Sequence, residues 1–438
     1  MEVFVVNMLL YVAWLVWSVR NREKCSAFYI FSVLMYAAVA GMGIYIFGDN
    51  IYQNEIQDHR SVEYLSYVPY ILMFLMMLFV LWPIKELQKF ELGWSDVRLR
   101  RFSDAFVLML LAHMFFWLHG FQFGAASDLG DAYHMSVSGD LGLRYGSDVE
   151  TIIAKILRRF SICITPVFYY LQFYRISKGK NSGIAIVFLC TGFISNVVPP
   201  ILQGNRGSIF FSFFSLFFIY TCFSSDIPAK LKKVIYSLVL VALGVLLFYV
   251  LMISIYRAKG DADVAIGRIF RYFGEPFLNL GLVYWNSTDV HTYGVRFFPK
   301  FVEFAGIELP DSKYGVDALR EFWTRVYGVN MYYFKTLFGD LYMEFGVVGA
   351  FIVAGLVTMS AKLAKKIKNP FVLSLLMYYY ARIVILWGIF GFGVLQNACV
   401  DIAYAVVFWL LLSKFWNPTV KKEEEAEKNE VLDSNTSI

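Results

Sequence analysis

Charged residues are scarce in this chain, at 17% Asp, Glu, Lys and Arg. An average soluble chain carries about 25%, so the shortage excludes an ordinary water-soluble domain. Cysteine is also sparse. Of the five, Cys25 falls in a loop and Cys163, Cys190, Cys222 and Cys399 fall in apolar segments, which excludes a disulfide framework and any zinc-ligand spacing. No Gly-rich phosphate loop of the P-loop type occurs, and no internal repeat of the kind common in transporters. Histidine offers little: His113 and His119, six apart, face different sides of a helix and make a poor metal pair. No metal and no cofactor are expected.

What is abundant is apolar surface, with 58% hydrophobic residues, 19% aromatics and a mean hydropathy of +0.57. These values define an all-α polytopic membrane protein. A helix of roughly 17–22 apolar residues crosses about 30 Å of hydrocarbon, and about eleven such segments are read on that criterion. They lie at 3–19, 28–47, 67–84, 105–123, 160–174, 184–201, 208–223, 234–255, 341–361, 371–392 and 394–415. The fifth is the shortest. Arg20, Arg22 and Lys24 follow the first segment, as a basic stop and not a cleavage site, so it is expected to be a retained anchor.

Every second loop is basic. Cations cluster after spans one, three, five, seven and nine, at Arg20 to Lys24, Lys85 to Arg101, Arg175 to Lys180, Lys230 to Lys233 and Lys362 to Lys368. By the positive-inside rule the amino terminus is then outside and the carboxy-terminal tail inside. Net charge of +5 follows from this bias, and no nucleic-acid partner is implied. The expected organisation is eight spans in 1–255, a large outer segment at 256–340, three spans in 341–415 and a solvated tail at 416–438.

Two outer segments are too long to be simple connectors. The first, 124–157, is rich in Gly, Ser and Asp, and reads equally as a lid or a solvated loop. The second, 256–340, is dense in aromatics such as Phe270, Tyr272, Phe273, Trp285, Phe297, Phe322 and Trp323. Disordered linkers are poor in aromatics, so a helical cap on the outer membrane surface is expected. Arg268 and Arg271, three apart, share a helix face there. They suit lipid headgroups on an interfacial amphipathic helix or a lipid-linked phosphate.

Arg206 is the most conspicuous cation, lying in the outward stretch Gln203-Gly204-Asn205-Arg206-Gly207 against the prevailing charge bias. Arginines at helix ends commonly snorkel to headgroups. Here Gly204 and Gly207 open the backbone to close approach, and Pro199-Pro200 is expected to break the preceding span. The next helix, expected from about Ser208, turns its positive dipole end outward, which favours an anion. Further polar groups within spans or near their ends are Arg158, Arg159, Asp340, Glu344, Asp401 and, in mid-span, Arg382. Intramembrane charges are costly and usually paired, so Arg382 with Asp401 fits a structural pair.

Three features resemble one family. They are Gln203-Gly204-Asn205-Arg206-Gly207-Ser208 opening an aromatic span, the large outer segment near the carboxy end, and Phe338-Gly339-Asp340-Leu341-Tyr342-Met343-Glu344-Phe345-Gly346-Val347-Val348-Gly349 opening the next span. Together they resemble the Wzy-type oligosaccharide repeat-unit polymerases, also called O-antigen polymerases. The resemblance implies a bacterial inner-membrane glycosyltransferase of GT-C type that joins undecaprenyl-pyrophosphate-linked oligosaccharides on the outer face, with a chain-length regulator as partner. Some relatives carry an arginine-led Arg-X10-Gly pattern. This chain departs from it, because Gly207 directly follows Arg206 and Arg271 reaches Gly281 one position early.

The chemistry fits these residue types. Breaking a sugar–pyrophosphate bond builds negative charge that fixed cations stabilise. Arg206 is the leading candidate, with Arg158, Arg159, Arg268 and Arg271 as helpers and Gln203 and Asn205 beside the ligand. Glu344, Asp340, Glu275 and His291 are candidate bases or sugar contacts, and the sequence does not rank them. An O-antigen ligase, a polyprenyl-phosphate-sugar glycosyltransferase and a lipid-linked glycan flippase stay open as alternatives.

Overall fold

The computed structural model describes residues 1–48, 65–86, 96–120, 147–179, 182–202, 206–258, 261–286, 290–307, 309, 316–331, 333–364, 366, 388–391, 403–404, 406–407 and 410. Helices α1 (Glu2–Arg20) and α2 (Ala27–Phe47) form an antiparallel pair, followed by α3 (Val68–Leu81) with a 3₁₀ turn at Trp82–Ile84. Then come α4 (Asp96–Gly120), α5 (Asp148–Ser177), α6 (Ser182–Leu202), α7 (Arg206–Phe223) and α8 (Ala229–Arg257). Helix α9 (Ala262–Asn279) runs into a π turn at Leu280–Tyr284, and α10 (Pro299–Phe304), α11 (Val316–Tyr327), α12 (Leu337–Ala364) and the short α13 (Gly388–Phe390) complete the described elements. No strand occurs among the described residues.

Six of these helices are long and apolar enough to cross a membrane: α1, α2, α4, α6, α8 and α12. The chain is therefore a membrane protein with several spans. Helix α8 shows the physical signature best, since Leu240, Val241, Val245 and Phe248 are exposed to the surroundings of the protein, a surface that only lipid tolerates. The third and seventh expected segments form the shorter apolar helices Val68–Ile84 and Ser212–Phe223. Most of the tenth and eleventh, including Arg382 and Asp401, lies outside the described residues, as does the tail.

Two expectations need correction. Residues 148–157, assigned to a long loop, are helical, and α5 continues through Pro166 to Ser177. The signal was present in Ser147-Asp148-Val149-Glu150: Ser147 Oγ accepts the Glu150 amide at 3.3 Å, as an N-cap does. Helix α6 also runs unbroken through Pro199-Pro200 to Leu202. Each proline removes one backbone donor, and this close to the helix end little of the ladder remains to be lost.

Helix α9 departs from a cap lying flat on the membrane. Its first turns are amphipathic, but every residue from Gly274 to Tyr284 is buried, and this half enters the bundle. Gly274 permits the entry, because a Cβ there would stand 2.7 Å from the Met42 carbonyl carbon and 2.8 Å from the Gly43 nitrogen of α2. Phe277 packs edge-on against Tyr11 of α1 and Tyr36 of α2. Pro276 and the π turn disturb the helical ladder locally, and the Phe277 carbonyl accepts the Tyr70 hydroxyl at 3.0 Å. The entering half-helix brings Asn279 and Tyr284 beside the turn before α12.

Candidate functional site

The site is built on the first turns of α12. Thr336 precedes the helix, and its Oγ1 accepts the Gly339 amide at 3.1 Å. Asp340 and Glu344, four residues apart, therefore share one face. Two turns on, Gly346 adopts φ 68° and ψ −175° and interrupts the helix. Only glycine occupies that region readily. The break removes the α-helical partner of the Met343 carbonyl, and His291 Nδ1 stands 3.0 Å from that oxygen.

Both carboxylates are buried, and burial of unpaired charge is prohibitive. Arg296, from the segment between the π turn and α10, supplies the countercharge. Its Nε donates to Glu344 Oε1 at 2.7 Å and its Nη2 lies 2.9 Å from Asp340 Oδ1. Nη2 also donates to the Asp340 carbonyl at 3.3 Å, and the guanidinium lies 4.9 Å from the Phe297 ring centroid. Burial alone would weaken the charged form. The facing Asp340 and Glu344 outweigh it and hold the Arg296 pKa above its ordinary value.

The two carboxylates differ in what remains open to them. Glu344 accepts three hydrogen bonds, two at Oε2 from the Gly294 amide and the Thr292 hydroxyl, each at 2.8 Å, and one at Oε1 from Arg296. Thr292 in turn meets the Tyr327 hydroxyl at 2.7 Å. Asp340 Oδ1 is ion-paired by distance yet has no aligned hydrogen bond. The contact to Oδ1 is close without hydrogen-bond alignment, and Nη2 donates instead to the Asp340 carbonyl. Of the two, Asp340 is the carboxylate with more accepting capacity left.

A second polar group adjoins the first. Lys335 is 3% exposed, with Nζ 3.5 Å from the Tyr284 hydroxyl, 3.7 Å from Met331 Sδ and 4.8 Å from the Tyr284 ring centroid. Tyr284 Oη lies 3.2 Å from the Asn330 carbonyl and 3.0 Å from that of Tyr333, tying the turn before α12 to the π turn. Burial lowers the Lys335 pKa to about 7, against the opposing pull of Asp340. Unfolded lysine therefore binds more protons than folded Lys335 from pH 7 up to the ordinary lysine value, so stability rises with pH across that window. Relative to Lys335→Met, the native protein is expected to gain up to about 1.4 kcal/mol per pH unit there. Parallel thermal-unfolding midpoints for the two proteins across the window would contradict the assignment.

The sequence-derived candidates distribute unevenly around this site. Asp340, Glu344 and His291 meet in it. Glu275 is close by on α9, buried, with Oε1 accepting Asn279 Nδ2 at 3.2 Å and Oε2 paired to Arg271 Nε at 3.5 Å. Asn279 Nδ2 also donates to the Phe334 carbonyl at 3.0 Å. Arg271 is thus a structural partner of Glu275, while Arg268 is exposed on the same helix. Arg158 and Arg159 are exposed in the middle of α5. Arg206 is the first residue of α7, two positions earlier than expected, and its backbone therefore sits at a helix amino terminus. Gln203, Gly204 and Asn205 lie outside the described residues.

Sequence reasoning missed Arg296, Lys335, Thr292, Tyr284 and Asn279. For Arg296 a signal existed: two carboxylates on one apolar helix face demand a cation, and Arg296 sits among Val295, Phe297 and Phe298 where a solvated arginine is out of place. Among the described residues no group of three His, Cys, Asp or Glu side chains is arranged to hold a metal ion. No protein-family model, no curated protein and no solved structure matches the chain.

Proposed function

We propose that the chain is a membrane glycosyltransferase that polymerises undecaprenyl-pyrophosphate-linked oligosaccharide repeat units into a surface polysaccharide on the outer face of the bacterial inner membrane. The observation that carries this reading is the behaviour of the segment from Phe338 to Gly349, which resembles the repeat-unit polymerases. It forms a helix broken at Gly346 whose two buried carboxylates are gripped by Arg296 from the outer segment.

In the proposed reaction the acceptor sugar hydroxyl attacks the anomeric carbon of the donor chain. The new carbon–oxygen bond forms as the bond to pyrophosphate breaks, and the electron pair leaves with undecaprenyl pyrophosphate. Asp340 accepts the hydroxyl proton, a role that suits it better than Glu344, which already accepts three hydrogen bonds. Arg206, at the positive end of α7, stabilises the departing pyrophosphate by a planar, bidentate contact. Arg296 and Glu344 hold Asp340 in place. Lipid, the carrier-linked oligosaccharide and a chain-length regulator are the partners.

Deletion of the gene tests this directly through the size profile of cell-surface glycan. Single repeat units, exported and attached, are the expected result. Loss of all surface glycan would point to a ligase or a flippase instead.

A further inference from the structure

The turn that grips Glu344 contains a residue out of place. Tyr293 has φ 50°, the one positive φ at a non-glycine residue among those described. A bulky side chain there costs about 1 kcal/mol or more relative to glycine, which the next position already uses (Gly294, φ 97°). The turn is fixed by α12: the Tyr293 amide donates to the Glu344 carbonyl at 2.8 Å, and the Gly294 amide to Glu344 Oε2 at 2.8 Å. The Tyr293 side chain, however, is 75% exposed. Its ring therefore adds little to the packing of the protein that holds it.

The ring has company. Tyr293 meets His291 edge-on at 6.3 Å, His291 meets Tyr342 at 5.9 Å, and Tyr342 stacks on Trp285 at 4.8 Å. An aromatic series thus leads from the exposed ring to the helix that carries Asp340. We infer that Tyr293 is a stacking platform for a pyranose ring of the saccharide substrate, placing the acceptor sugar over the Asp340–Glu344 end of α12. A flat apolar face with a hydroxyl at its rim matches the C–H face and polar edge of a sugar, and the strained turn fixes its direction in advance. This inference rests on the proposed glycan activity and specifies its ligand.

The test uses purified full-length protein in lipid nanodiscs and, as probe, the repeat-unit oligosaccharide released from the surface glycan of the strain carrying the gene. Tyr293→Gly relieves the backbone strain, so its thermal stability is expected to equal or exceed that of the native protein, while affinity for the oligosaccharide falls about 5- to 10-fold. Tyr293→Phe and Tyr293→Trp are expected to retain most of the affinity, as a merely structural turn residue would not require. Unchanged affinity in Tyr293→Gly overturns the inference. Quenching of the Trp variant by brominated phospholipid, with no protection from the oligosaccharide, overturns it too and makes the ring a membrane contact. Because binding is read without polymerisation, these outcomes are separable from a failed gene-deletion test, which would remove the underlying activity instead.

Discussion

Arg296→Ala is expected to lower folding stability by about 3–5 kcal/mol and to abolish glycan polymerisation. Breaking a buried pair leaves its partner charge uncompensated, and here two carboxylates are stranded: Glu344, which is fully buried, and Asp340, which is 3% exposed. Arg296→Lys recovers only part of this, because one ammonium cannot serve Glu344 Oε1 through Nε and Asp340 through Nη2 together. Denaturant unfolding of the purified variants measures the loss. Adding Glu344→Gln to Arg296→Ala should return part of it, since the double variant strands one charge fewer. A single Arg296→Ala variant within about 1 kcal/mol of native stability, the range of an exposed pair, would show that the cluster is solvated.

The second large effect is on rate. Arg206→Ala is expected to cost about 10²- to 10³-fold in polymerisation, as loss of one fixed donor to a developing anion does elsewhere, with membrane insertion and stability little changed. Arg206→Lys should restore little, because a point charge does not reproduce a planar two-pronged contact with pyrophosphate. Arg206 joins a charge against the loop bias to a place as the first residue of α7. Polymer of native length in a strain carrying Arg206→Ala, at matched protein level, would remove Arg206 from the mechanism and leave it as a headgroup anchor.

Local signals were readable and long-range ones were not. Hydropathy located the described spans because a lipid-facing helix such as α8 needs no tertiary partner to explain its composition. Asp340 and Glu344 were legible as polar groups near a span end, and the helix that forms there sets them on one face. The cation between them did not, since Arg296 is 44 residues from Asp340 in sequence and competed with Arg268 and Arg271, which look equally well placed. Their fates were decided by contacts: Arg271 turns to Glu275 on its own helix, and Arg296 reaches across to α12. The dive of α9 into the bundle was hidden for a similar reason. Its amphipathic first turns dominate the pattern, while the entry depends on Gly274 meeting Gly43 of α2, a pairing that periodicity along one helix cannot encode.

Arg158 and Arg159 were legible as charges, while their placement on the helix was not. They stand against the charge bias of their loop, yet the helix that begins at the Ser147 cap carries them on an exposed face. Between α9 and α12, the demand of buried carboxylates for a counterion points to Arg296, which position along the chain does not single out.

Purified protein in nanodiscs, given undecaprenyl-pyrophosphate-linked repeat units as sole substrate, tests the central claim most directly. The expected result is a ladder of lipid-linked oligomers with release of undecaprenyl pyrophosphate, present with the native protein and absent with Asp340→Asn and Arg206→Ala. Repeat units that remain single with the native protein, or that elongate equally well with both variants, would contradict it.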